Sequence, residues 1–324
     1  MMGTPSISKP AIVGAGLIGA SMAAMFSKAG LAVTVWDPNA DSETAFRSRL
    51  KGASDQLASL GWANDGAVTW CNSLEEALAD ADWVQENAPE TLPVKHKLYS
   101  DIETILSPQT IIASSTSALT WTELAEGMQS PSRLVTVHPF NPAHLMPLVE
   151  IYSRDNQTAA VATTLFSSLG KETVVLKQDA VGQIAERMAS ALRREADHIV
   201  AEGIADVTAV DAALVHGPGL RWSIAGAHLS YHLGGGSGGI DHYLSHLGPS
   251  QEHRWASLGT PHLSADVCDA LVKGVAEETD GLSVAALEDR RDQLLIEALR
   301  LRQSVGTLAN NSGTTEHFRT TIGE

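Results

Sequence analysis

The segment AIVGAGLIGASMAAMFSKAGLAVTVWD (11–37) joins an apolar run, a glycine turn, a helix pattern rich in small residues and a second apolar run ending in Asp37. An apolar run without alternation must be buried on both faces, which a single hairpin sheet does not provide and a parallel sheet covered by helices does. The glycines tighten the constraint. Gly14-Ala15-Gly16-Leu17-Ile18-Gly19 reads GxGxxG between strand and helix, a spacing that belongs to a strand turning directly into a helix. Gly14 permits the turn, Gly16 lets backbone come close to a ligand, and Gly19 lets helix and strand pack together.

The same alternation continues. DWVQENA (82–88), TIIASSTS (110–117), RLVTVHPF (133–140) and KETVVLK (171–177) read as further strands, separated by helical stretches such as WTELAEGM and TAAVATTLFSSLG. Strands alternating with helices imply an α/β, Rossmann-type, doubly wound parallel sheet with helices on both faces. From about residue 180 the texture changes. QIAERMASALRREADHIVAEG and SVAALEDRRDQLLIEALRLRQSV carry apolar residues at helical spacing, and strand signals fade. The expected organisation is a dinucleotide-binding domain over 1–180 and an all-helical domain for substrate and dimer contacts over 181–324. At 324 residues the chain is long enough for two cores.

Composition narrows the partners. The net charge of −16 disfavours nucleic acid and anionic membranes, and no run of eighteen apolar residues is present to span a bilayer. Only Cys71 and Cys268 occur, without a CxxC, so neither a disulfide framework nor a metal site is expected. With no basic or apolar leader in MMGTPSISKP, the expectation is a soluble cytoplasmic protein.

The glycine turn defines a cofactor site. A helix N-terminus starting at Leu17 and Ile18 offers free N–H groups and a positive dipole end to a diphosphate. Asp37, eighteen residues past Gly19, is placed to accept hydrogen bonds from the adenine ribose hydroxyls. A 2′-phosphate would be repelled there, and Pro38 and Asn39 supply no cation, so NAD is expected over NADP.

Chemistry is concentrated at strand ends. Ser117 closes TIIASSTS, and His138 closes RLVTVHPF inside the rigid turn HPFNP, with Glu150 twelve residues further on. Ligands of open parallel sheets bind beyond the carboxyl ends of the strands. Taken together, SSTSAL, HPFNP and PLVEI resemble the L-3-hydroxyacyl-CoA dehydrogenase superfamily, through nearly the whole chain. The resemblance implies that His138 is the general base, that Glu150 holds its imidazole in one tautomer, and that Ser117 hydrogen-bonds the reacting oxygen. It further implies that Glu90, Lys95 and Asn141 contact the nicotinamide half of the cofactor, that the enzyme is a homodimer, and that its chemistry is of the kind used in fatty-acid metabolism.

Two departures concern the substrate. CoA-ester members of the family carry a lysine cluster that FRSRLKGASDQLASLGWANDG (46–66) lacks, and a GPF-like turn that GPGLRWSIAGAHLSYHLGGGSGG (217–239) does not keep. The latter stretch resembles the free-acid branch, which includes L-carnitine dehydrogenases and lambda-crystallin type L-gulonate 3-dehydrogenases. Arg221 has the planar fork to clamp a carboxylate, or alternatively braces a helix. Glu186-Arg187 stands where the family usually has Asn-Arg, so an acid faces the substrate region, and Trp222 offers a π-face. A surface ion pair and a core tryptophan are the structural alternatives for Glu186 and Trp222. The implied reaction is oxidation of a small free L-3-hydroxy acid, with L-carnitine ahead of L-gulonate or a short hydroxyacyl-CoA. A non-catalytic, crystallin-like NAD-binding protein is the contrasting class.

Overall fold

The computed structural model describes residues 7–305. The chain divides into two compact units, Met1–Arg187 and Met188–Glu324. In the first, eight strands form one sheet: β1 (Pro10–Val13), β2 (Val33–Trp36), β3 (Val68–Trp70), β4 (Trp83–Glu86), β5 (Ile111–Ser114), β6 (Leu134–Pro139), β7 (Leu148–Tyr152) and β8 (Glu172–Val175). Their spatial order is β3-β2-β1-β4-β5-β6-β7-β8. The order reverses between β1 and β4, which opens a crevice at the carboxyl ends of these strands.

Both faces of the sheet are covered, as its apolar strands require. Ile12, Val35, Ala113, Val135 and Val137 pack under α1 (Leu17–Lys28), α2 (Glu43–Ser59) and α6 (Asn156–Ser168). Ala11, Val13, Val84, Ile112 and Leu134 pack under α3 (Leu74–Leu78), α4 (Leu92–Ile105) and α5 (Trp121–Leu124). Alternate residues of one strand thus feed opposite cores, Ile12 one and Ala11 and Val13 the other.

The sheet is parallel-dominated but mixed. β7 runs antiparallel to β6, and β8 is parallel to β7. The connection 140–147 is too short for the crossover that a parallel neighbour needs, so the chain turns back beside the strand it has just left. β3 and β7 are strands that the apolar pattern alone did not mark. The first is three residues long, and the second, LVEIY, carries an acid at its centre.

Helix α7 (Ala185–Ala201) begins in the first unit. The second unit contains α8 (Val207–Leu214), α9 (Leu220–Trp222), α10 (Ala227–Gly234), α11 (Gly239–Ala256), α12 (Ala265–Thr279) and α13 (Val284–Val305). A kink at Gly217 and Pro218 separates α8 from α9, as expected where proline removes a helical hydrogen bond. Among the described residues no helix is long and apolar enough to cross a membrane.

Candidate active site

The glycine turn has the shape that its sequence implies. Gly14 has φ +97°, and a Cβ there would lie 2.6 Å from the Asn87 carbonyl oxygen. At Gly19 a Cβ would lie 2.0 Å from the Gly14 carbonyl oxygen, so helix and turn touch through backbone. Gly16 is different: nothing lies within 4 Å of where its Cβ would be. Open space at Gly16, at the start of a helix whose N-terminus no side chain caps, fits the diphosphate of a dinucleotide. Leu17 is exposed and Ile18 half-buried in the first turn of that helix. Asp37, just past β2, accepts a hydrogen bond from the Ala15 N–H at 2.8 Å and another from the Asn39 N–H at 2.9 Å. Each oxygen of a carboxylate has two lone pairs, so Asp37 braces the glycine turn and retains acceptor capacity for ribose hydroxyls.

His138 and Glu150 are direct cross-strand partners in the antiparallel β6–β7 pair. Directly opposed residues put their side chains on the same face, and Glu150 Oε2 lies 3.0 Å from His138 Nδ1. The other carboxylate oxygen, Oε1, accepts the N–H groups of Ile184 at 2.9 Å and Ala185 at 3.0 Å. Glu150 therefore caps the start of α7 while holding the histidine, and the positive end of that helix favours its charge. Burial pushes the Glu150 carboxyl up, but the hydrogen bonds with His138, Ala185 and Ile184 and the adjacent imidazole outweigh this and hold it below the ordinary carboxylate range. With Glu150 ionised, Nδ1 is the ring nitrogen that donates to it.

His138 opens onto a cavity of about 370 Å³. Ser117, Asn141, Ile18 and Glu186 from the sequence-derived set line it, as do Ser115, Pro139 and Phe140. The edge of Phe140 meets the His138 ring at 5.8 Å between centroids. Phe140 and Ser115 were not singled out in the sequence, although their place beside HPFNP and SSTSAL marks them once the cavity is known.

Glu90 and Lys95 take a different place. They do not line this cavity but join a chain of ion pairs that starts at the buried Glu86, the last residue of β4, and ends at the exposed Glu90. One Glu86 oxygen accepts from Lys95 Nζ at 2.7 Å and the Ala88 N–H at 2.6 Å. The other accepts from the Tyr99 and Ser114 hydroxyls, both at 2.6 Å. Lys95 Nζ also lies 3.4 Å from Glu90. Glu90 in turn accepts the N–H groups of Ser117 at 2.8 Å and Ala118 at 2.9 Å, together with the Thr116 hydroxyl. Burial raises the Glu90 carboxyl, but Thr116, Ala118, Lys95 and Ser117 together hold it below the usual range. Burial and the neighbouring Glu86 carboxylate push the Tyr99 phenol well up, so it remains a donor. Glu86 gave no separate signal in the sequence beyond being an acid inside an apolar run.

Arg221 and Trp222 lie in α9 of the second unit. Arg221 is exposed, whereas Trp222 is half-buried, and its ring N–H has no hydrogen-bond partner among the described residues. Among the described residues no group of acids, cysteines and histidines has metal-binding geometry.

Residues 9–180 match the NAD-binding domain of 3-hydroxyacyl-CoA dehydrogenase, and residues 182–277 match its C-terminal domain. The L-carnitine dehydrogenase of Streptomyces coelicolor is 39% identical, over 94% of this chain and 98% of that protein. That of Bacillus cereus is 36% identical, over 96% of this chain and 98% of its own length. Among solved structures, an NAD+-dependent dismutase, 5-formyl-3-hydroxy-2-methylpyridine 4-carboxylic acid 5-dehydrogenase, superposes with a TM-score of 0.80 at 27% identity, covering 93% of this chain and 100% of that one. The chain belongs to the 3-hydroxyacyl-CoA dehydrogenase family and is an NAD-dependent oxidoreductase acting on a CH–OH group.

Proposed function

We propose that this enzyme oxidises L-carnitine, a free 3-hydroxy acid, to 3-dehydrocarnitine. The observation that carries the choice is Glu186. Its side chain lines the same cavity as His138 and Ser117, and no ion pair with a lysine, arginine or histidine neutralises it among the described residues. A carboxylate facing the reacting group suits a substrate that carries a fixed positive charge. A trimethylammonium has no N–H to donate, so charge and aromatic faces are the means of recognising it. The names of the relatives in Streptomyces coelicolor and Bacillus cereus point the same way.

In this reading His138 Nε2 accepts the hydroxyl proton, and Glu150 fixes the ring and stabilises the imidazolium that forms. Ser117 donates its hydroxyl to the reacting oxygen. Bound NAD supplies the hydride acceptor, held by Gly14, Gly16, Gly19, the first turn at Leu17 and Ile18, and Asp37. Glu90, Lys95 and Asn141 serve the nicotinamide side. Trp222 and Arg221 extend the reading to the second unit, as a π-face for the cation and a fork for the carboxylate. The working form is a homodimer. Among the described residues of the second unit, Leu220, Leu244, Leu247, Val272, Leu294 and Leu301 are all exposed, apolar side chains of the kind a second copy would cover.

NADH production followed with L-carnitine, L-gulonate and 3-hydroxybutyryl-CoA in parallel tests the assignment. Carnitine is expected to be turned over with the highest kcat/KM. Preference for the CoA ester overturns the free-acid reading, and preference for L-gulonate overturns the role given to Glu186.

A further inference from the structure

We propose that Glu86 is a positioning residue that acts through Lys95 and Glu90 to hold the Ser117 turn in place. The inference rests on the reading of Ser117 as the group that bonds the reacting oxygen. It begins with an imbalance in a closed compartment. Glu86 is fully buried and Lys95 is 1% exposed, so neither charge is stabilised by water and each depends on the other. Glu86 accepts four donors, which uses the full acceptor capacity of its carboxylate. It cannot turn away without abandoning one of them.

Lys95 is fixed in consequence. Its Nζ donates to Glu86 at 2.7 Å and to the Ala88 carbonyl at 3.2 Å, and stands 3.4 Å from Glu90. The short contact is with Glu86 and the long one with Glu90. This asymmetry leaves one Glu90 oxygen free to collect the Ser117 and Ala118 N–H groups and the Thr116 hydroxyl. Those three donors form the turn that carries Ser117 into the cavity. The geometry is a balance: Glu86 takes most of the lysine's charge, and Glu90 keeps enough of its own to hold the turn. Glu86 and Ser114 are also register partners in the β4–β5 pair. The same acid therefore ties the strand that leads to Ser117 directly, through the Ser114 hydroxyl.

The substitution Glu86→Gln keeps the shape and removes the charge. The glutamine amide can present its oxygen to Lys95 and Ala88 and its NH2 to the two hydroxyls, which accept as well as donate. Lys95 then has Glu90 as its only anion and draws it away from the turn. The test is hydrogen–deuterium exchange of the full-length protein with NADH bound, read on the amides of Ser117 and Ala118 and compared with those of β6. In Glu86→Gln the turn amides are expected to exchange about tenfold faster with β6 unchanged. Turnover should fall by about 10–100-fold, and any change in KM for NAD reports the displacement of Glu90 at the nicotinamide side, since the glycine turn is untouched.

Wild-type protection of Ser117 and Ala118 in Glu86→Gln overturns the proposal, as does equal loss of protection in the turn and in β6. Faster exchange of the turn with unchanged turnover upholds the positioning role and instead removes Ser117 from the chemistry. Should Glu86→Gln fail to fold, Glu86→Asp, which withdraws the carboxylate from Lys95 by one methylene and leaves the lysine to Glu90, is read by the same criteria.

Discussion

Two buried strand carboxylates, Glu150 at the centre of β7 and Glu86 at the end of β4, are 1% and 0% exposed and differ in their partners. Glu86 faces a lysine as buried as itself, and its second oxygen is held by two hydroxyls, so the pair is locked by its contacts. Glu150 faces a histidine, whose charge can change, and its second oxygen is held by two backbone amides at the start of α7. A carboxylate paired with a fixed cation builds structure. One paired with an imidazole beside a cavity is placed for the proton transfer proposed above. The difference lies in the partner and not in the acid, and it can be tested from both sides.

The largest effect is expected at Glu150. Glu150→Gln leaves His138 free to adopt the wrong tautomer and removes the charge that stabilises its imidazolium. Turnover should fall by about 10²–10⁴-fold, the range a positioned acid–base group contributes, while NADH binding measured by fluorescence stays near wild type. Because the folded pKa of Glu150 is depressed, its stabilising contribution is present above the unfolded carboxylate pKa and is lost as pH falls through the folded value. Acid unfolding of Glu150→Gln should therefore show a shallower pH dependence below about 4.3 than that of the wild type. Retention of full turnover in Glu150→Gln would remove the distinction between the two acids.

At the other acid the loss should appear in stability. Lys95→Met leaves Glu86 and Glu90 without their cation, and breaking a buried pair in this way costs about 3–5 kcal/mol. Urea unfolding measures it; a loss below about 1 kcal/mol would mean that water reaches the network and that the pair is not locked.

A further buried charge extends the contrast, since among the described residues it has no carboxylate partner in contact. Lys171 donates to the carbonyls of Ala143, His144 and Met146 at 2.9, 3.2 and 2.8 Å. These belong to the connection between β6 and β7 that follows Phe140 and Asn141. Burial lowers the pKa of its ammonium from 10.5 to about 7. The unfolded chain then binds the extra proton between these values, so stability rises with pH across that interval, and the penalty is fully present below it. The wild type should gain ~2–4 kcal/mol between pH 7 and 10 relative to Lys171→Met, the carbonyl contacts offsetting part of the full shift. Parallel pH profiles for the two proteins would show that this amine keeps its proton throughout.

Much of this arrangement was legible in the sequence, and the missing parts have a common cause. The glycine turn and the strand ends at Ser117 and His138 depend on local pattern, whereas Glu186 was marked only by the family resemblance and lines the cavity beside His138. The pairing of Glu150 with His138 was legible as a spacing, but its form was not. An acid at the centre of LVEIY hides a strand, and only the turn back at 140–147 puts it directly opposite the histidine. The Glu86 network was hidden more deeply. Its members Glu86, Lys95 and Tyr99 share a face only after β4 and α4 have packed, and Ser114 joins from the neighbouring strand. Glu90 and Lys95 were named through the family resemblance as cofactor contacts, and the turn that Glu90 holds lies more than twenty residues further along the chain.

The smallest effect is expected at Glu186, and it decides what the carboxylate pair serves. Unlike Glu86, Glu186 is half-buried on the first turn of α7, within the cavity that His138 faces. The helix is the one whose start Glu150 caps, so the acid that bonds His138 also fixes the position of Glu186. Glu186→Gln keeps the shape and removes the charge. If the charge meets a trimethylammonium, KM for L-carnitine should rise by about tenfold, the equivalent of roughly 1.4 kcal/mol, with kcat within about threefold because the proton and hydride steps are left intact. The rise should shrink as salt is added, since a partly exposed ion pair is screened. An uncharged 3-hydroxy acid of similar size should show no such rise. An equal increase in KM for charged and uncharged substrates would mean that Glu186 shapes the cavity without recognising charge, and the free 3-hydroxy acid would then have to be identified by its other end.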